Sequence, residues 1–116
     1  MNEELRSKIV QFRDNRDWGQ FHTSKNLAVS ISIEAAELLE LFQWAKDDEL
    51  GQVIEDKRDQ ISEELADLSI YLTLMSHDLG IDLIKAIEGK LETNNRKYPV
   101  AKAKGSARKY TEFQSD

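Results

Sequence analysis

Two pairs of acids carry the chemistry that the sequence suggests. Glu34 and Glu37 stand three residues apart in SIEAAELLELFQW (32–44), and Glu64 and Asp67 repeat that spacing in EELAD (63–67). Residues three or four apart share a helix face. Glu34 and Glu37 therefore stack with Leu38 and Leu41, and Glu64 and Asp67 stand with Leu68 and Tyr71. Glu40 lies further round, toward solvent. Burying several ionised carboxylates together is costly unless something neutralises them. A hard divalent cation does this, and Mg²⁺ takes oxygen ligands while keeping waters that substrate phosphates replace. The other reading is that the acids are solvated and paired with Lys46, Lys57 or Arg58. Spacing alone leaves both open.

The donor set narrows the metal. A di-iron carboxylate bundle needs Glu-x-x-His on two helices. The residues three before His22 and His77 are Gly19 and Leu74, so that motif is missing. Zinc prefers nitrogen or sulfur ligands, and the chain has two histidines and no cysteine. Oxygen-only ligation favours Mg²⁺ or Mn²⁺.

Four helical segments can position these residues. The first spans about 3–16, with Leu5, Ile9, Val10 and Phe12 at helical spacing. RDWGQFHTS interrupts it, and Thr23 or Ser24 can cap a second helix over about 24–46, carrying Leu27, Ile31, Ala35, Leu38, Leu41 and Phe42. After the polar KDDELGQ comes a long third helix, about 53–78, with Ile61, Leu65, Leu68, Leu72 and Met75 and a stop at Gly80. Asp82 caps a fourth, about 82–97, which Pro99 ends. No segment has a sustained period of two. The expected fold is all-α, a four-helix bundle-like domain over 1–98, followed by a basic, flexible tail over 99–116.

Composition bounds the function classes. A chain of 116 residues with 40% apolar and 33% charged residues suits one helix-rich domain. The net charge of −6 does not suit a general binder of nucleic-acid polymers, whose affinity rests on neutralising phosphate. Nucleotides remain open, because a metal can supply positive charge. Without cysteine, disulfides and thiolate chemistry are excluded. No stretch reaches the roughly 18 apolar residues of a membrane span, and the first thirty residues hold no apolar signal region. The expectation is a cytoplasmic protein with no membrane partner.

The motifs resemble those of the all-α nucleoside triphosphate pyrophosphohydrolases, the MazG-like superfamily. Within it the chain is most similar to the short, single-domain branch that includes the dCTP pyrophosphatases. That signature is E-E-x-x-E, a gap, then E-x-x-D, matched here by IEAAE (33–37) and EELAD (63–67). RDWGQFH (16–22), ELLELFQW (37–44), LSIYL (68–72) and NNRKYPV (94–100) extend the similarity over nearly the whole chain. Ile33 stands where the signature has its first glutamate. The resemblance implies that Glu34, Glu37, Glu64 and Asp67 are catalytic Mg²⁺ ligands. It also implies cleavage of a nucleoside triphosphate between its α and β phosphates, giving the monophosphate and pyrophosphate. Glu37 is the favoured proton acceptor; Glu40 and Glu63 are left as outer or solvent-facing acids.

Substrate contacts follow from the same resemblance. Trp44 lies seven residues after Glu37 and Tyr71 one turn after Asp67, while Trp18 and His22 precede the second helix. Planar rings stack on bases, so His22, Trp44 and Tyr71 are expected in the base pocket. The plain alternative makes the tryptophans core or interface residues and His22 an ordinary surface histidine. Lys90, Asn94 and Lys97 share a face and, with Tyr98, are expected near the triphosphate; the plain alternative is a solvated basic face. The tail segment AKGSARKY (103–110) is expected to fold over the phosphates. Leftover apolar helix surface is commonly buried by self-association, and the resemblance implies a homotetramer built as a dimer of dimers. The implied role is nucleotide-pool house-cleaning on dCTP or related dNTPs. Competing readings are a non-catalytic helical interaction module, or a related pyrophosphatase acting on dUTP or phosphoribosyl-ATP.

Overall fold

Side-chain caps set where the chain enters its helices. In the computed structural model, which describes residues 1–107, Asn2 opens α1 (Glu3–Asn15) by accepting the Leu5 N–H at 2.8 Å. Thr23 does the same for α2 (Ser24–Glu40), accepting from Asn26 N–H at 3.1 Å. Each cap satisfies one of the amide donors that a helix start leaves without an intrahelical acceptor. Between α1 and α2 the chain reverses through Asp17, whose φ of 53° is left-handed. Aspartate tolerates that region better than most residues. The Asp17 carboxylate accepts from Gln20 Nε2 at 3.0 Å across the 3-10 turn Trp18–Phe21.

Two helix boundaries differ from the sequence expectation. The second helix stops at Glu40 rather than about 46. Leu41, Phe42 and Ala45 donate to carbonyls three residues back instead of four, so the winding tightens and the regular helix is lost. The expected third helix is two: α3 (Leu50–Asp56), entered by a 3-10 turn at Asp47–Glu49, and α4 (Arg58–Asp78). Lys57 leaves helical geometry between them with φ −114° and ψ 16°, while Lys57 N–H to Val53 and Ile61 N–H to Lys57, both 2.9 Å, carry hydrogen bonding across the junction. α4 ends as expected at Gly80. With φ 66° it lets Gly80 and Ile81 donate back to His77 at 3.2 Å and Ser76 at 2.9 Å, the paired bonds of a Schellman motif.

The described chain forms two units, Met1–Ile81 and one beginning at Asp82. In the first, α4 contacts α2 most extensively and also α1 and α3. Leu27 on α2 and Leu74 on α4 are its buried apolar residues, 1% and 3% exposed. Thr73 and Ser76 are buried beside them, and their hydroxyls donate to carbonyls of their own helix, Ser69 at 2.7 Å and Thr73 at 2.9 Å. The second unit holds α5 (Leu83–Lys97), capped by Asp82 through the Lys85 N–H, and the one-turn α6 (Val100–Ala103) that Pro99 opens. That turn occupies part of the expected flexible tail. The tail's Arg108, Lys109 and everything after them lie outside the described residues. Among the described residues every regular element is helical, and no helix is long and apolar enough to cross a membrane.

Leu27→Ala removes a fully buried side chain from the α2–α4 seam and should cost about 3 kcal/mol. Thr23→Ala removes one cap and should cost about 1 kcal/mol. Urea denaturation of the two variants checks the ranking; equal losses would contradict a seam centred on Leu27.

Candidate active site

The inward stripe of α2 reads Leu27, Ile31, Glu34, Leu38, and that of α4 reads Glu64, Asp67, Tyr71, Leu74; all are buried or half-buried. Each helix therefore places acid in the stripe that an ordinary helix would keep apolar. Of the expected α4 stripe, Leu65 and Leu72 instead face outward. Carboxylate oxygens of Glu34, Glu37 and Glu64 lie within 4.8 Å of one another, with Glu37 the exposed member. Asp67 follows Glu64 by one turn and acts on Glu34 through its charge. Glu40 and Glu63 are exposed.

Among the described residues, none of the salt bridges reaches these four acids, and Arg58 pairs with Glu55 at 2.9 Å. Glu34 Oε2 and Glu64 Oε2 are both buried with no hydrogen-bond donor. Hydrogen bonding with Glu64, then burial, then Glu37 and Asp67 push the Glu34 carboxyl up to about 7. Crowded carboxylates retain a proton in this way because they cannot all ionise together. An all-oxygen cluster with unpartnered buried acceptors fits a hard divalent cation, which would take the proton's place.

A cavity of about 370 Å³ opens beside Asp67. Its walls come from α1 (Ile9, Phe12, Arg13), from Trp18 and His22, and from Ile70, Tyr71 and Leu74 of α4. Trp18 meets Phe12 edge-on, centroids 5.8 Å apart at 75°, and His22 meets Tyr71 at 6.3 Å and 68°. His22 Nδ1 is buried without a partner. The structure thus brings His22 and Tyr71 to the same cavity. Trp44 is not among its walls: it lies beyond the end of α2 and is 84% exposed. A position two turns along the face of Glu37 would need α2 to continue past Glu40, where it ends. Lys90, Asn94 and Lys97 lie on α5 and Tyr98 is its C-cap, all in the second unit; Lys90 is exposed, Asn94 and Lys97 half-buried.

Helical spacing sets Ile9 and Phe12 together on the apolar stripe of α1, and nothing in the sequence marks them, Arg13 or Ile70 as site residues. The Ile9–Arg13 spacing of four put both on one face of α1, but the residues facing them belong to α4, more than fifty positions away.

Residues 29–113 match the MazG-like family. The chain is 41% identical over 113 residues to dCTP pyrophosphatase 1 of Bos taurus, covering 96% of this chain and 67% of that protein. Against dCTP pyrophosphatase 1 of Homo sapiens the identity is 40%, with 96% and 66% covered. The chain therefore spans about two thirds of the length of these relatives. A solved pyrophosphatase from Archaeoglobus fulgidus DSM 4304 is 50% identical and superposes with a TM-score of 0.81, over 84% of this chain and 91% of its own.

The raised Glu34 group makes stability depend on pH. The folded, cation-free protein holds a proton that the unfolded chain, at its ordinary 4.5, has already released. Its contribution is complete below 4.5 and is lost as pH rises through about 7. With EDTA present, the Tm of the wild type should fall across that window, and Glu34→Gln should flatten the slope. Parallel curves for the two proteins would contradict proton sharing.

Proposed function

The chain belongs to the MazG-like family, and we propose that it is a nucleoside triphosphate pyrophosphohydrolase dependent on a divalent cation. The observation that carries this reading is the juxtaposition of unneutralised carboxylates with an aromatic-walled cavity, joined at Asp67. The acids suit the phosphate end of a nucleotide and the cavity suits its base.

Glu34, Glu37, Glu64 and Asp67 hold the cation, Mg²⁺ or secondarily Mn²⁺. When bound, it supplies positive charge to the triphosphate oxygens and acidity to a nearby water. We assign proton acceptance from the attacking water to Glu37, the most accessible of the three clustered glutamates. The water oxygen bonds the α-phosphorus, the bond to the α–β bridging oxygen breaks, and pyrophosphate leaves. Trp18 and Tyr71 flank the base, and the unpartnered His22 Nδ1 hydrogen-bonds the nucleoside. For Lys90, Asn94, Lys97 and Tyr98, triphosphate contact rests on the motif alone. The relatives' named substrate makes dCTP and related dNTPs the first to try.

Self-association completes the reading. Ile33, Leu39, Trp44, Leu65 and Leu72 are all exposed large apolar residues within the first unit. Packing against further copies removes such surface from water, and a homotetramer is the proposed state. In that assembly the exposed Trp44 reaches the base pocket of a neighbouring copy.

Incubation with dCTP and Mg²⁺ should release pyrophosphate, and EDTA should abolish the release. Glu37→Gln or Asp67→Asn should lower kcat roughly a hundredfold or more with the fold retained. Orthophosphate as the product would overturn this chemistry. Light scattering at micromolar concentration should give four chain masses; a monomer would remove the tetramer from the reading.

A further inference from the structure

The aromatic wall of the cavity is held by a residue that does not itself line it. Phe12 and Trp18 both face the cavity, yet they are 51% and 44% exposed, so burial fixes neither ring. Phe12 lies in the last turn of α1, and Trp18 in the short 3-10 turn that follows. Arg16 stands between those two segments as the C-cap of α1. Its guanidinium carbon is 3.7 Å from the Phe12 ring centroid and 5.8 Å from that of Trp18. Both distances fall within the reach of a cation–π contact.

The backbone explains why the side chain sits there. The Arg16 amide donates to the Arg13 carbonyl at 3.1 Å, three residues back instead of four. The Phe12 carbonyl, which an α-helical amide at Arg16 would have met, takes Arg16 Nη1 at 2.9 Å. A cation on the last carbonyls of a helix is favourably placed. Among the described residues none of the salt bridges includes Arg16, so its charge is matched by ring faces and a carbonyl rather than by a carboxylate. A planar guanidinium laid on a ring and tethered at one nitrogen has little freedom left. Phe12 loses that cover if it swings outward, and Trp18 loses both of its edge and cation contacts if it leaves its place.

We propose that Arg16 is a positioning residue for base binding: it holds Phe12 and Trp18 as a preset stacking wall, so the rings are ordered before a nucleotide arrives. This rests on the pyrophosphohydrolase reading above. Side chains that must be ordered on binding weaken affinity, and ordering them beforehand recovers it. Arg16 is absent from the cavity walls, so it acts on the base only through the two rings. The effect falls on KM and not on kcat, because the reacting phosphates lie at the acids and the rings meet only the base.

The test reads the wall and the kinetics separately. Trp44→Phe leaves Trp18 as the one tryptophan of the chain. In that background Arg16→Ala should enlarge the fast component of the Trp18 anisotropy decay about twofold. With Trp44 intact, Arg16→Ala should raise KM for dCTP about fourfold and leave kcat near its original value. Tripolyphosphate with Mg²⁺ carries the phosphates without a base, and its inhibition constant should not move. Arg16→Lys keeps the charge but cannot both lie flat on Phe12 and hold its carbonyl, so it should recover only part of the loss. Full recovery by Arg16→Lys, or an equal shift for tripolyphosphate, makes Arg16 a plain attractor of phosphate and overturns the proposal. So does an unchanged KM or an unchanged anisotropy decay in Arg16→Ala, or a fall in kcat with KM unmoved. Wild-type protein that releases no pyrophosphate sinks the parent reading and this one with it, whereas activity indifferent to Arg16 sinks this one alone.

Discussion

Like charge inside a packed seam is the constraint on which this structure turns. α2 and α4 make the principal helix contact, and Glu34 and Glu64 meet within it. Carboxylates this close resist ionising together, so below about pH 7 the seam holds a proton on Glu34 unless a cation takes its place. The helices keep such acids because neighbouring positions compensate. Leu27 and Leu74 bury apolar surface, while Thr73 and Ser76 satisfy their own hydroxyls against helix carbonyls. A helix pair that stored only apolar side chains here would be simpler and more stable, and it would have nowhere to hold a divalent cation.

The opposite arrangement occurs at the other end of α4. Arg13 and Asp78 form a part-buried, charge-matched pair with fork geometry, neutral as a unit and tying α1 to α4. Between the unmatched acids and the matched pair runs the cavity, its α4 wall formed by residues three or four apart. One helix stripe thus spans a gradient from excess negative charge, through aromatic and aliphatic surface, to a neutral ion pair. Its first two parts parallel a nucleotide, with phosphates at the acids and a base at the rings.

The described unit buries few apolar side chains fully, and many large ones stay exposed. A thin core of this kind is weakly stabilised by hydrophobic burial alone. On the proposed function, a bound cation and further copies of the chain would add stability, because both would act only on the folded protein. Catalysis and folding would then draw on the same carboxylate seam.

Local rules made much of this legible in the sequence. Thr23 and Asp82 cap helices because their side-chain oxygens reach amides three residues on, and Gly80 stops α4 because it alone there takes a left-handed φ cheaply. The three-residue spacing put Glu34 with Glu37 and Glu64 with Asp67 on shared faces, which follows from helix geometry whatever the fold. Tertiary structure decided the rest. Which face turns inward depended on how α2 lay against α4, so the acids, and not Leu65 or Leu72, took the seam. Where α2 ended depended on tightened hydrogen bonds after Glu40, and that removed Trp44 from the helix face assigned to it. Arg13 met Asp78, and Phe12 met the cavity, only because α1 packs against α4. Spacing within a helix is a property of the chain, whereas the partner across a seam is a property of packing, and packing joins residues that no local pattern connects.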